Sequence, residues 1–214
     1  LSGPRGSGKH TLALELAAAM NCLGREGGVA LPCHSCNNCR RIMAREFPDV
    51  KYLVKAKDKA TIGVGEVSDF KEDMYLSATE AKHKIYVIES AELLTPQAQN
   101  SLLITLEEPP RNVVNILLCE QADKLLTTIR SRVQYVAMSR FTAEEINDYL
   151  VEHSAEARRL KSTDKKRLDS IILAADGCIG RALELTDPKL ADENERRRTV
   201  TEGIVRAMTA RASY

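Results

Sequence analysis

The sequence has no tryptophan and few other aromatic residues: three phenylalanines and six tyrosines make up 4% of its 214 residues. Proteins that hold single-stranded nucleic acid without sequence preference stack the bases on aromatic side chains. The composition therefore argues against that class of protein. It also predicts a core built mainly from Leu, Ile, Val and Ala, which are plentiful in the chain.

An excess of charge of one sign is also lacking, because 31 basic residues nearly balance 30 acidic ones and leave a net charge of +1. This balance argues against a surface coated by nucleic acid. No run of eighteen apolar residues occurs, so no transmembrane helix is expected. The chain begins with Leu rather than Met, and we expect it to be a fragment of a longer protein.

A phosphate-binding loop is the clearest motif present, because residues 3–11 read GPRGSGKHT and nearly fit the pattern G-x-x-x-x-G-K-[ST]. In such loops the backbone N–H groups and the lysine bind phosphates, and the final hydroxyl holds Mg²⁺. His10 occupies the position of that hydroxyl. Thr11 comes one residue later, which on a helix turns it by about 100°. The candidate nucleotide contacts are Gly3, Gly6, Ser7, Gly8, Lys9, His10 and Thr11.

An acidic strand end is the second element that a nucleotide site needs. Lys84–Ile88 is predicted to be a strand buried on both faces, and Glu89-Ser90-Ala91-Glu92 follows it. Glu89 is the candidate acid for Mg²⁺, one methylene longer than the usual Asp. Ser90 stands where a base is expected, and a hydroxyl cannot take a proton from water near neutral pH. The sequence thus predicts a site that has lost two catalytic groups, while Glu92 is read more simply as a cap of the next turn.

The secondary-structure pattern predicts an α/β fold, in which a parallel sheet carries helices on both faces. Leu1–Ser2 is predicted to be the end of a strand, and Thr95-Pro96 to cap a helix that runs to Glu107. The other predicted strands are Val50–Val54, Lys84–Ile88, Val113–Cys119 and Val133–Ala137. The other helices predicted before residue 140 are Thr11–Asn21 and Val64–Leu76.

The character of the sequence changes after Ala137, where only helices are predicted. Thr142 and Glu145 form a capping box, and Asp164–Ala175 and Arg181–Leu185 are further helical segments. We therefore expect a nucleotide-binding-like domain over 1–139, a small all-α domain over 140–187, and a helical tail over 188–214 that begins a truncated domain.

Four of the six cysteines are clustered within eighteen residues in the pattern C-x10-C-x2-C-x2-C, which is typical of a structural Zn²⁺ site. The predicted ligands are Cys22, Cys33, Cys36 and Cys39, in a loop-like module over 22–43. Free thiols or a disulfide are the alternatives, and a disulfide is disfavoured in an intracellular nucleotide-binding protein. His34 could replace one cysteine. Cys119 and Cys178 are expected to be core residues.

An arginine-containing segment, TIRSR at 128–132, precedes the last predicted strand. An arginine at a domain edge can reach a nucleotide held by a neighbouring subunit and stabilise charge on the phosphoryl group in transfer. Arg132 is the candidate for this role. By itself the segment is more simply interpreted as a solvated surface arginine.

Together these motifs resemble the AAA+ clamp-loader subunits of bacterial DNA polymerase III, gamma/tau and delta prime, over about residues 1–187. The resemblance is carried by GPRGSGKHTLALELA, the cysteine module after the first helix, IYVIESAELL, NSLLITLEEPP and TIRSR. It implies a RecA-like P-loop NTPase domain with an inserted zinc module, followed by a helical lid and, beyond Tyr214, a collar domain. It also implies a cytoplasmic machine that uses ATP to place a sliding clamp on primed DNA. The implied partners are gamma/tau, delta, the clamp and, through the assembly, primed DNA.

Three departures from the family pattern favour the delta prime type, which serves as a stator with little or no ATP hydrolysis. They are His10, Ser90 and Gly180, the last of which stands where gamma/tau-like members carry a sensor arginine. Arg132 resembles the family's arginine of the Ser-Arg-Cys motif, which acts in trans on gamma/tau. Whether ATP and Mg²⁺ still bind stays open at this point.

Two alternatives also stay open. One is an ATP-hydrolysing gamma/tau-type subunit with unusual ligands. The other is a zinc-dependent nucleic-acid-binding module on an inactive ATPase scaffold.

Overall fold

A computed structural model describes residues 1–24 and 30–187 of the chain. The chain separates into two compact units, one of residues 1–4 and 8–138, the other of residues 5–7 and those from 139 onward. The predicted tail over 188–214 lies outside the described residues. In the described ranges no helix is both long and apolar enough to cross a membrane.

The first unit is built on a parallel sheet, as predicted. Its strands are β1 (Val50–Leu53), β2 (Lys84–Ile88) and β3 (Val113–Leu117), in the order β1-β2-β3. Leu53 lies opposite Ile88, and Ile88 opposite Leu117, so the three carboxyl ends are aligned. All five residues of β2 are buried, as its continuous apolar run predicts for a strand covered on both faces.

The far edge of the sheet differs from the prediction. Val133–Ala137 is not a strand: in that segment only Ala137 forms a bridge, and its partner is Ser2. Ser2 also bridges Cys119, and it donates its N–H to the carbonyl of Val136 at 2.9 Å. Because Ser2 alone pairs with this segment and residues 134–137 are exposed, the apolar pattern does not suffice to form a strand.

Helices cover both faces of the sheet. They are α1 (Lys9–Asn21), α2 (Asn37–Met43), α3 (Val64–Met74), α4 (Pro96–Glu107) and the short α5 (Thr127–Arg130). Ile85 and Val87 pack in a core with α1 and α2, whereas Ile88 packs with α3 and α4. This alternation along β2 follows from the two-residue period of a strand. Two details depart from expectation: α2 lies within the stretch that was predicted to be a loop, and β3 ends at Leu117.

The second unit is helical in its described part. Its helices are α6 (Ala143–His153), α7 (Ala155–Thr163), α8 (Lys165–Ala175) and α9 (Ile179–Thr186). The capping box is present, because Thr142 accepts the N–H of Glu145 and the Glu145 carboxylate accepts the N–H of Thr142. The core of this unit includes Ile146, Leu150 and Leu168. The sequence did not predict α7, which is rich in charged residues.

Candidate nucleotide-binding and metal sites

The glycine-rich loop leads directly into α1, which begins at Lys9 after Gly8 in a left-handed conformation with φ 89°. Glycine adopts this conformation without steric cost. The Lys9 ammonium group donates to the carbonyl oxygens of Gly3 at 2.7 Å and Pro4 at 2.9 Å, and Lys9 is 6% exposed. Ser7, in the same loop, is 2% exposed, and its hydroxyl has no hydrogen-bond partner.

The acid at the end of β2 is bound by two basic side chains. One carboxylate oxygen of Glu89 lies 3.2 Å from His10 Nε2, and the other lies 3.1 Å from Arg45 Nη1. The hydrogen bond from His10 lowers the pKa of Glu89, together with the charges of His10 and Arg45, and outweighs the effect of burial. The structure therefore brings together His10 and Glu89, which the sequence singled out separately.

Arg45 is a site residue that the sequence analysis missed. It follows α2 with φ 59°, and its N–H bonds to the carbonyl of Ile42 at 2.9 Å. Its guanidinium carbon lies 4.7 Å from the centre of the Tyr52 ring, which is cation–π geometry. No motif includes this arginine, and its approach to Glu89 depends on how α2 packs beside the sheet.

Ser90 and Glu92 lie in or beside the turn that follows β2. Ser90 has a left-handed backbone, with φ 52° and ψ 53°, and begins a short 3₁₀ turn over Ala91–Leu93. Glu92 accepts the backbone N–H of Glu120 at 3.1 Å. This hydrogen bond links the 3₁₀ turn to the segment that follows β3.

The four clustered cysteines converge on one point, since their sulfur atoms all lie within 4.8 Å of one another. Cys33 Sγ and Cys39 Sγ are 4.0 Å apart. Four sulfurs around a tetrahedral Zn²⁺ with bonds of about 2.3 Å would lie about 3.8 Å apart, so the spacing fits such an ion. Backbone N–H groups lie 3.4 Å from three of the sulfurs, those of Cys22, Cys33 and Cys36. The cluster could therefore hold a metal ion.

The thiols of the cluster differ in pKa because their surroundings differ. A hydrogen bond from Ser35 and neighbouring backbone N–H groups lower the pKa of Cys33 to about 5, whereas burial raises that of Cys39 to about 12. His34 lies outside the cluster, and its Nε2 is 3.4 Å from a carboxylate oxygen of Glu15. All six cysteines are in the described residues and are free thiols, and Cys119 and Cys178 are buried.

Arg132 lies just beyond α5 and is held in place by two neighbours. Its Nη1 donates to the Thr128 carbonyl at 2.9 Å, and its guanidinium forms an ion pair with Glu107, the last residue of α4. The Arg132 side chain is 33% exposed and lines an open cavity of about 490 Å³ with Leu106, Glu107 and Ser131. The sequence placed Glu107 in the LEEPP segment but did not predict this pairing.

Comparison with known proteins assigns the chain to a family. The sequence model described as DNA polymerase III, delta subunit, matches residues 1–142. The chain belongs to this family. The resemblance to clamp-loader subunits predicted from the motifs is thereby confirmed.

The individual relatives of this chain include delta′ and tau subunits of DNA polymerase III. This chain is 39% identical over 150 residues to DNA polymerase III subunit delta′ of Bacillus subtilis, covering 70% of this chain and 44% of the relative. It is 33% identical over 190 residues to DNA polymerase III subunit tau of Salmonella typhimurium, covering 89% of this chain and 28% of that one. The chain therefore spans less than half the length of these relatives.

The solved structure of the Thermotoga maritima RuvB Holliday junction branch migration motor is similar in fold. The TM-score is 0.51 at 15% identity, over 86% of this chain and 51% of that one. At this identity the likeness shows a similar fold and nothing further.

Proposed function

We propose that this chain is the delta prime-type subunit of a bacterial DNA polymerase III clamp loader, which helps to place the sliding clamp on primed DNA without hydrolysing ATP itself. Its partners are then gamma/tau, delta and the clamp, in the cytoplasm. The helical unit from residue 139 serves as the lid of the AAA+ module. The observation that carries this proposal is the binding of both Glu89 carboxylate oxygens by His10 and Arg45.

Hydrolysis at a phosphate loop needs a metal held by a hydroxyl and an acid, and a group that orients the attacking water. In this chain the hydroxyl position holds an imidazole, whose Nε2 lies 3.2 Å from the acid. Ser90, at the position of the base, has an ordinary hydroxyl, which does not accept a proton from water at neutral pH. These features support a site that no longer turns over ATP.

Arg132 is proposed to act in trans on the ATP of a neighbouring gamma/tau subunit. An arginine with this role must stay charged, reach solvent and keep one orientation. The contacts with Thr128 and Glu107 orient the guanidinium, and the partly exposed side chain lines the adjoining cavity. These observations support the proposed role.

We further propose that the cysteine cluster holds a structural Zn²⁺. Four cysteines would complete a tetrahedral shell and leave no position for a substrate, which distinguishes a structural zinc from a catalytic one. The cluster joins residues just after α1 to the start of α2, because Cys22 follows Asn21 and Cys39 lies in α2. Bound zinc would therefore stabilise this part of the first unit.

The proposal is tested by assembling the chain with gamma/tau, delta and the clamp from the same organism, and measuring DNA-stimulated ATP hydrolysis. We expect a stable complex, and a loss of about 10³-fold in turnover at the neighbouring site when Arg132→Ala is assembled. Arg130→Ala is the matched control, since Arg130 is exposed and lies two residues away. Equal activity of the two variants would contradict the role of Arg132.

The alternatives give different outcomes. ATP hydrolysis by the isolated chain that collapses in Lys9→Ala would support a gamma/tau-type ATPase instead. DNA binding by the isolated chain that falls steeply with salt and is lost in Cys36→Ser would support a zinc-dependent nucleic-acid module.

A further inference from the structure

We propose that His10 and Arg45 take the place of Mg²⁺ at Glu89, so that the loop binds a polyphosphate chain, free or as part of a nucleoside triphosphate, without a divalent cation. This inference rests on the proposed function, because it names the ligand class of the same altered site. The residues involved are the basic side chains of His10, Arg45 and Lys9 and the acid Glu89.

Two basic side chains occupy both oxygen atoms of the acid. Both oxygens of Glu89 are within hydrogen-bond distance of nitrogen atoms, at 3.2 Å from His10 and 3.1 Å from Arg45. A divalent ion at this carboxylate would compete with these two side chains for its oxygen atoms. It would then lie beside the arginine charge, and like charges at such short range repel.

The acid and the two bases differ in how far they are exposed to solvent. The Glu89 side chain is only 15% exposed, whereas those of His10 and Arg45 are 49% and 42% exposed. The acid is thus more buried than the two bases, and the basic groups present more of their surface to solvent. Such an arrangement favours the approach of an anion over that of a cation.

Lys9 places another positive charge at the start of α1. Its ammonium group donates to the carbonyl oxygens of Gly3 and Pro4, and these bonds keep it at the start of the helix. A cation in this position adds to the attraction that the N–H groups of a helix N-terminus have for an anion.

The charges that remain make the site basic without a metal. Glu89 contributes one negative charge, and Lys9 and Arg45 contribute two positive charges. His10 adds a further positive charge when it is protonated. A phosphate chain also gains the N–H groups at the start of α1, which bind anions at helix N-termini.

The test is equilibrium binding of ATP and of inorganic tripolyphosphate to the full chain by calorimetry, in excess EDTA and in excess MgCl₂. We expect both ligands to bind no more weakly in EDTA than in MgCl₂, because the metal has no place at Glu89. Lys9→Ala should weaken both by about tenfold, the usual effect of losing a charge-assisted hydrogen bond. Binding of ATP alone would mean that the nucleoside contributes contacts, and binding of both that the phosphates suffice.

The decisive variant is His10→Thr combined with Arg45→Ala, which restores a hydroxyl and frees Glu89. Here MgCl₂ should tighten ATP binding by about tenfold, reversing the preference of the unaltered chain. Arg41→Ala is the matched control, because Arg41 is also basic but pairs with Glu80 at 2.8 Å. Should the double variant not fold by circular dichroism, Arg45→Gln alone removes the arginine charge from Glu89, and the ratio of ATP affinities should still shift toward MgCl₂; an unchanged ratio would contradict the inference.

Binding of ATP only in MgCl₂, or no binding of either ligand in either buffer, would overturn the inference. These results differ from a failure of the proposed function. Hydrolysis of ATP by the isolated chain would overturn the proposed function, whereas magnesium-dependent binding without hydrolysis would overturn only the inference.

Discussion

The two ends of α1 carry two sites that differ in how completely they keep their chemistry. At the carboxyl end, Cys22 contributes to a cluster in which four sulfur atoms converge within 4.8 Å. At the amino end, the glycine-rich loop leads into the helix, and His10 and Arg45 bind Glu89, the acid that we expected from the sequence to hold a metal. The first site has a full set of metal ligands, and the second has its own basic groups in their place.

The comparison shows that the backbone of a binding loop can be kept while the side chains needed for its chemistry are replaced. The left-handed Gly8 and the start of α1 form the loop whether or not a hydroxyl follows Lys9. In the cysteine cluster, by contrast, metal binding depends directly on the four thiol side chains. Variants at the two ends of α1 should therefore have effects of very different size.

The largest effect is expected at the cysteine cluster. Cys39→Ser should abolish zinc binding and lower the free energy of unfolding by about 4 kcal/mol or more, since loss of a structural metal is among the most destabilising changes. Zinc content by mass spectrometry and chemical denaturation check this expectation. His34→Ala is the control and should keep the metal, because His34 faces Glu15. A chain purified without zinc and unaffected by Cys39→Ser would remove the contrast between the two sites.

Loss of Arg132 orientation should have an intermediate effect. Glu107→Gln removes the ion pair but keeps the Thr128 contact, so the turnover number of the assembled complex should fall by about three- to tenfold, with little change in KM for ATP. Glu108→Gln, at the exposed neighbouring residue, serves as the control. A change in KM with an unaltered turnover number would argue that Glu107 does not act through Arg132.

A smaller effect is expected at Glu89. Glu89→Gln should lower the free energy of unfolding by about 1 kcal/mol at neutral pH, because partly exposed charges are screened by solvent. The groups that face this carboxylate are His10, Arg45 and the Tyr52 ring.

The pH dependence of this effect has a definite sign. His10 lowers the pKa of Glu89 in the folded state below its ordinary value of 4.5. The stabilisation is therefore present above pH 4.5 and is lost as the pH falls through the folded-state pKa. Denaturation of both chains across this range should show their difference shrinking with acid, and a constant difference would contradict the ion-pair explanation.

The smallest effect is expected at Lys9. Lys9→Ala should leave ATP hydrolysis by the assembled complex unchanged, because the proposed chemistry takes place at the neighbour's nucleotide. Assembly and turnover are measured beside Arg132→Ala in the same preparation. A marked loss in Lys9→Ala would show that the loop takes part in turnover and that the two ends of α1 are more alike than proposed.

Local signals account for most of the secondary structure that was predicted correctly. The bounds of α4 follow from Thr95, whose side chain accepts the N–H of Ala98, and from the prolines after Glu108. The strand prediction over Val133–Ala137 was wrong because pairing depends on a partner elsewhere in the chain. The sequence did not predict α2 because this helix is only seven residues long and its cap is a cysteine, Cys36, whose sulfur accepts the N–H of Cys39.

The sequence by itself determined the phosphate loop, the alternation of strands and helices, and the four-cysteine pattern, since each depends on residues close together in the chain. Only the tertiary structure decided which charges meet. Arg45 reaches Glu89 across 44 residues, and Arg132 reaches Glu107 across 25. An ion pair requires two side chains to approach within a few ångströms, and that distance is set by the packing of helices beside the sheet.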